Sequence, residues 1–442
     1  MLDTAARALS ALMIPLLFTA GLYFGFATRF FYIFHPIKTL RRVFGKRDGG
    51  ISPLRAASVA LAGTLGVGNI TGVITAIYSG GPGAVFWMWV SALAAMSVKY
   101  AETALAVRFR RGAAGEHYGG APFYIRDGLG GGKLARALGG FFAVLCVINS
   151  FVVGNILQIN AAASAAHDAF GINPVAVGAA SALLTFAVII GGAKRISALT
   201  SRLIPAVSLL YIFMCVSVIF AYGEYFCDAL FDIFTSAFSF RSALGGAGGY
   251  TVAEAVRFGV TRGILTNEAG SGTSPTAHAC SDAKSPHEQG TLGIFEVFVD
   301  TILICSLTAF AILTASRAGI TLSDDPMATA SLAFSSVLGA LAPPLLTAVS
   351  VMFVFATVIS QHYYGETAVR YLFPGGRARR AYTLLYVCAA VVGSVISPAV
   401  MWNAADIIVG AMTSVNVVCL LLERRYFRRG EARINHPDLP II

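Results

Sequence analysis

The chain of 442 residues is 56% hydrophobic and only 12% charged, with a mean hydropathy of +0.73 and a formal net charge of +10. A soluble protein of this length carries about a quarter charged residues, so a water-soluble multidomain protein is excluded. The Lys and Arg residues stand between apolar runs and not on one polar face, which excludes a nucleic-acid surface and makes them topology signals.

Apolar stretches of about 20 residues or more read as transmembrane helices. In chain order they cover 8–34, 55–79, 82–107, 137–166, 173–193, 203–222, 249–280, 290–315, 343–372, 379–398 and 401–423, eleven in all. The first is too long for a signal-peptide core and lacks a clear cleavage site, so it reads as a retained span. Arg29, Lys38, Arg41, Arg42, Lys46, Arg47 and Arg55 surround the loop after it, whereas Ser79 to Pro82 after the second span carries no charge. Arg108, Arg110, Arg111, Arg126, Lys133 and Arg136 follow the third span, and only His167 and Asp168 the fourth. Lys194, Arg195 and Arg202 follow the fifth, then Glu224, Asp228 and Asp232 the sixth. The loop 281–289 is nearly neutral, and 316–342 sets Arg317 against Asp324 and Asp325. Arg370, Arg377, Arg379 and Arg380 follow the ninth span, and Arg424, Arg425, Arg428, Arg429 and Arg433 the last. Cationic loops face the cytoplasm, so this alternation predicts a multi-pass protein of the cell (inner) membrane, N-terminus outside and C-terminus cytoplasmic. The seven cysteines have no CxxC pair and read as small side chains, most of them within apolar segments.

Two spans are damaged. The second contains Gly63-Thr64-Leu65-Gly66-Val67-Gly68-Asn69-Ile70-Thr71-Gly72, in which each glycine costs about 1 kcal/mol against alanine in a helix. The seventh contains Thr266-Asn267-Glu268-Ala269-Gly270-Ser271-Gly272-Thr273-Ser274-Pro275, a poorer helix still. Irregular backbone at membrane depth is tolerated only inside protein or along a wet cavity. The half-helix ends then offer N–H groups to a carboxylate and carbonyls to Na⁺ or an ammonium group. The breaks lie five spans apart. With the first span and its loop (1–50) set aside, five spans over 51–223 and five over 249–425 form an inverted repeat within one membrane domain, leaving a tail at 426–442. The fold expected is therefore an all-α integral membrane protein.

Gly80-Gly81-Pro82-Gly83-Ala84-Val85-Phe86-Trp87-Met88-Trp89-Val90 resembles the signature of the alanine/glycine:cation symporter family, also called sodium:alanine symporters. Arg262-Gly263, Asn267-Glu268-Ala269-Gly270, Gln289-Gly290, Asp300-Thr301 and Tyr363-Tyr364-Gly365-Glu366 are similar in type and order, from about Ser58 to Leu421. The resemblance implies a leucine-transporter-type fold and Na⁺- or H⁺-driven uptake of alanine or glycine. Carried onto this chain, the amides of Val67 and Gly68 would hold a substrate carboxylate. Asn69 and the Thr64 carbonyl would serve one Na⁺; the Ala62 and Leu65 carbonyls with Thr357 would serve another. The chain departs from the family pattern at Val67, at Ala356 before Thr357, at Gln361 where Trp is usual, and at Val415 before Asn416.

Gly66, Gly68 and Asn69, with Thr266, Asn267 and Gly270 on the second break, are the site residues expected from helix-breaking density, against close helix packing as the alternative. Gln158 shares a helical face with Asn155 by i,i+3 spacing, and binds substrate or bonds between helices; Gln361 adds amide chemistry to the same site. Glu268 is expected to pair with Arg262 or to carry a coupling proton, while Asp300 and Asp406 are expected in buried pairs or at helix ends. Lys99 and Glu102 read as snorkelling residues near the cytoplasmic end of the third span. Trp87 and Trp89 read as an interfacial belt plus packing. The spacing of His278, Cys280 and His287 lacks a fourth ligand for a metal. No HExxH and no nucleophile–base pair points to an enzyme. The expected partners are a small neutral amino acid, Na⁺ and the bilayer, with no organic cofactor and no nucleic acid; a proton-coupled carrier and a membrane nutrient sensor are the alternatives.

Overall fold

The computed structural model describes residues 2–34, 51–112, 116–238, 251–323, 325–396 and 398–427. The basic cluster from Lys38 to Arg47, Asp324 and the tail from Arg428 onward lie outside the described residues. The described chain is helical, with one isolated bridge pairing Arg111 and Tyr118 as its only β contact.

Every expected span has a helical counterpart. Helix α1 (Leu2–Ala27) is followed by the broken second span, α2 (Pro53–Thr64) and α3 (Val73–Gly80), and then by α4 (Gly83–Arg108). The short α5 (Ala121–Gly128) precedes α6 (Lys133–Phe151) and α7 (Leu157–Phe170), which together make the fourth span. The first half ends with α8 (Pro174–Ile189) and α9 (Gly192–Ala221). After the amphipathic α10 (Phe226–Phe238), the seventh span comprises α11 (Val252–Asn267) and the stub α12 (Pro275–Ala279). The second half continues with α13 (Pro286–Val297), α14 (Ser306–Arg317), α15 (Pro326–Leu338), α16 (Ala342–Leu372), α17 (Gly376–Gly393) and α18 (Pro398–Leu422). The helices α5, α10 and α15 were not expected, because each is too short to span a bilayer.

Local chemistry sets the starts. Ser52 accepts from the Arg55 amide ahead of Pro53. Thr251 and Glu254 form a reciprocal capping box, and Asp325 accepts from Met327 and Ala328 ahead of Pro326. Such caps satisfy N–H groups that the first turn leaves without intrahelical partners. Three spans loosen into π-helix, at Gly68–Gly72, Val152–Ile156 and Phe298–Cys305, a rare geometry that is frequent at functional sites.

Helix α4 runs through the centre, against α11 and α13, and α1 packs outside it against α18. Outward-facing Leu183, Leu209, Phe213, Phe220, Leu384 and Leu385 form an apolar rim that suits lipid contact. Loop contacts fix which ends share a side. Arg110 donates to the carbonyls of Ser281 and Ala283, which places the neutral 281–289 loop beside the cationic loop after the third span. Arg425 donates to Gly128 O at 2.7 Å on that same side. At the other end Arg317 pairs with Asp232, joining the two loops that carry acidic residues.

Candidate functional site

Where α2 ends, Leu65 turns to an extended conformation and the chain bends by 57° before resuming as α3. Asn69 closes the turn: its Oδ1 accepts from the Gly66 amide at 3.0 Å, and its Nδ2 donates to Asp300 Oδ1 at 2.7 Å. The Asn69 carbonyl accepts from Thr308, whose hydroxyl also meets that of Tyr211. Thr357 Oγ1 lies 3.1 Å from the Leu65 carbonyl oxygen, so the ninth span touches the first break where its helical bonding lapses.

The second break begins at Glu268, a non-glycine residue in the left-handed region at φ 51°. Gly270 and Gly272 continue with φ of 80° and 74°, a region that glycine enters without side-chain strain. Asn267 Oδ1 accepts from the Ala269 amide, and its Nδ2 donates to Thr301, which donates to Asp300 Oδ2. Asp300, in the third π segment, therefore accepts from Asn69 of the first break directly and reaches Asn267 of the second through Thr301, its neighbour in the same segment.

Between the breaks lies a cavity of about 20 Å³, room for one or two waters. It is lined by Thr64, Gly68, Val153, Leu157, Gln158, Leu265, Thr266, Glu268, Gln361 and Trp402. Five residues expected at the substrate or ion site thus meet there: Thr64, Gly68, Gln158, Thr266 and Gln361. Gly66 is adjacent; a Cβ on it would come within 2.9 Å of Gln158 Oε1 and 3.1 Å of Thr357 Oγ1. Ala62, near the end of α2, and Val67 in the turn are both buried, while Asn69 bonds Asp300 and Asn267 bonds Thr301. Gly270 sits elsewhere, its amide donating to Glu102 and its carbonyl accepting from Asn416. Leu265, Val153, Leu157 and Trp402 complete the walls; as apolar residues on apolar spans they carried no sequence signal.

Three expectations need correction. Glu268 does not pair with Arg262. Its Oε1 accepts from Gln361 Nε2 at 2.6 Å and its Oε2 from Thr273 at 2.5 Å, while Arg262 reaches Asp406 at 2.7 and 3.2 Å. Lys99 and Glu102 do not snorkel: both are wholly buried, with Lys99 3.4 Å from Glu102 and 3.4 Å from Glu296 and donating to Ser274. They belong to a sealed network in which His278 meets Glu296 and Gln289, and Asn416 meets Glu102 and Tyr124. Asn155 and Gln158 do not share a face, because the π segment rotates Asn155 onto the Tyr386 carbonyl and leaves Gln158 at the cavity. Trp87 and Trp89 donate to the Ala237 carbonyl and to Ser306, which packs both against neighbouring helices. Among the described residues no three His, Cys, Asp or Glu side chains cluster as a metal site.

The fold recurs in solved structures. MhsT in complex with L-phenylalanine matches with a TM-score of 0.61 at 14% identity, over 86% of this chain and 90% of that one. At this identity the likeness shows the leucine-transporter-type fold and nothing further. The sequence carries the relationship closer. The sodium/alanine symporter AgcS of Methanococcus maripaludis is 35% identical over 417 residues, covering 93% of this chain and 91% of AgcS. The probable sodium/glutamine symporter GlnT of Bacillus subtilis is 34% identical over 418 residues, covering 93% and 85%. The family model described as the sodium:alanine symporter family matches residues 1–429, and with relatives of this identity along nearly its whole length the chain belongs to that family of membrane transporters.

Proposed function

We propose that the protein is a secondary symporter that imports small neutral amino acids, alanine or glycine, with Na⁺. The observation that carries this reading is the meeting of Thr357 Oγ1 with the Leu65 carbonyl at the first break. A hydroxyl and a carbonyl freed from helical bonding make an oxygen cage of the kind that suits Na⁺, with the Ala62 carbonyl as the third ligand. The Thr64 carbonyl and Asn69 serve a second ion. The substrate carboxylate docks on the Val67 and Gly68 amides at the start of the resumed helix, where the dipole favours negative charge. Gln158, Thr266 and Gln361 line the rest of the site. Family relatives named for alanine and for glutamine make the amino acid a matter for direct assay.

Uptake of radiolabelled alanine and glycine into proteoliposomes is expected under an inward Na⁺ gradient and not under a proton gradient alone. Uptake driven only by protons would move coupling to Glu268, the carboxylate that lines the cavity. Glutamine uptake without alanine uptake would overturn the substrate assignment. The acidic loops face outside and the C-terminus the cytoplasm in this reading, in the cell (inner) membrane.

A further inference from the structure

The cavity between the breaks holds hydrogen-bond acceptors that the carboxylate and Na⁺ positions leave unused. Glu268 is 7% exposed and both its carboxylate oxygens are held by neutral donors, Gln361 and Thr273. None of the ion pairs formed by the described residues involves it. Arg262 is engaged by Asp406, and Lys99, which reaches Glu268 only by longer-range electrostatics, is engaged by Glu102 and Glu296. A second acceptor faces the same space: Gln158 is 8% exposed, and its Oε1 has no hydrogen-bond partner. A buried carboxylate without a cation and a buried amide oxygen without a donor are both costly. The group that answers both is compact, positive and rich in N–H donors, which describes an ammonium. Glu268 stands at φ 51° as the left-handed residue that ends α11, which fixes its backbone at the edge of the cavity.

We propose that Glu268 and Gln158 receive the α-ammonium of the substrate, and that Gln361 is a positioning residue that aims the Glu268 carboxylate. This inference rests on the amino-acid symport reading. It gives the zwitterion two ends: the carboxylate at the first break and the ammonium at the second, so that bound substrate bridges both broken helices. Deamino analogues are then rejected, and secondary amines, which offer one N–H fewer, bind more weakly than primary ones.

The test uses the full-length purified protein in nanodiscs with saturating Na⁺, measuring binding of alanine and of propionate, its deamino analogue. Wild-type protein is expected to prefer alanine. Glu268→Gln should weaken alanine by about 10- to 100-fold, the range for losing a hydrogen bond to a charged group, while propionate affinity and Na⁺ half-saturation stay unchanged. Gln158→Met should lower the alanine-over-propionate ratio to a smaller extent, and Gln361→Met should lower it with Glu268 still in place. An unchanged ratio in Glu268→Gln, with Na⁺ half-saturation or proton dependence shifted instead, overturns the proposal and gives Glu268 to the coupling ion. If size-exclusion shows Glu268→Gln misfolded, the ratio in Gln158→Met decides, and no change there overturns the proposal. Wild-type protein that binds no α-amino acid at all overturns the transport reading itself, an outcome distinct from a wild type that binds while its variants keep their discrimination.

Discussion

Asp300 shows how much one buried carboxylate organises. It accepts from Asn69 on one break and from its neighbour Thr301, which in turn accepts from Asn267 on the other break. Asp300→Ala should lower the apparent Tm in detergent and Asp300→Asn should do so less, because removing an acceptor leaves a buried donor unsatisfied at about 1–3 kcal/mol. Thermal unfolding followed by tryptophan fluorescence checks the order. Thr357→Val keeps the side-chain shape and removes the hydroxyl that meets the Leu65 carbonyl. It should raise Na⁺ half-saturation by about tenfold, the equivalent of one hydrogen bond of about 1 kcal/mol or slightly more, with little change in Tm. Sodium titration of alanine uptake reads this directly. The residue types at both breaks were legible in the sequence because glycine, asparagine and threonine at membrane depth are costly unless used. Their partners were not: nothing in the local sequence distinguishes Asp406 from Glu268 as the mate of Arg262, and only helix packing brings α18 beside α11.

At the scale of elements, the π segments decide orientation. The loosened turn at Val152–Ile156 separates Asn155 from Gln158 and turns them to different neighbours, which a 3.6-residue period does not foresee. The first break depends on Gly66 having no side chain. Gly66→Ala would set a Cβ 2.9 Å from Gln158 Oε1, so uptake should fall severely while the protein still purifies as a monodisperse species; transport assay and size-exclusion together check this. The Arg262–Asp406 pair ties α11 to α18. Removing either partner alone should destabilise by about 3–5 kcal/mol, and Arg262→Met with Asp406→Leu should recover most of that loss. A double-mutant cycle by thermal unfolding gives the coupling, and additive losses would contradict a direct pair.

For the whole molecule, sidedness is the property with the widest consequences. The contacts of Arg110 and Arg425 gather the cationic loops at one end, and the Arg317–Asp232 pair closes the other. Cys227, exposed on α10, lies at the acidic end. A membrane-impermeant maleimide should therefore label Cys227 on intact cells in a background whose other cysteines are replaced. A Lys133→Cys variant lacking Cys227 should react only after the membrane is opened. The reverse pattern would invert the topology.

The sequence by itself determined the class of the molecule: the shortage of charge demands a bilayer, the span count follows from hydrocarbon thickness, and two clusters of helix breakers five spans apart announce an inverted repeat. These are properties of composition and order along the chain, and they need no partner to be read. Tertiary structure alone decided which buried charges answer one another. Lys99 and Glu102, separated by one helical turn and close to a loop, look like side chains reaching for water, yet packing of α4 against α13 and the second break seals them with Glu296 and His278. Glu268 was left facing the cavity for the same reason: in a low-dielectric interior each charge takes the partner that the fold brings within a few ångströms, and sequence distance carries no record of that approach.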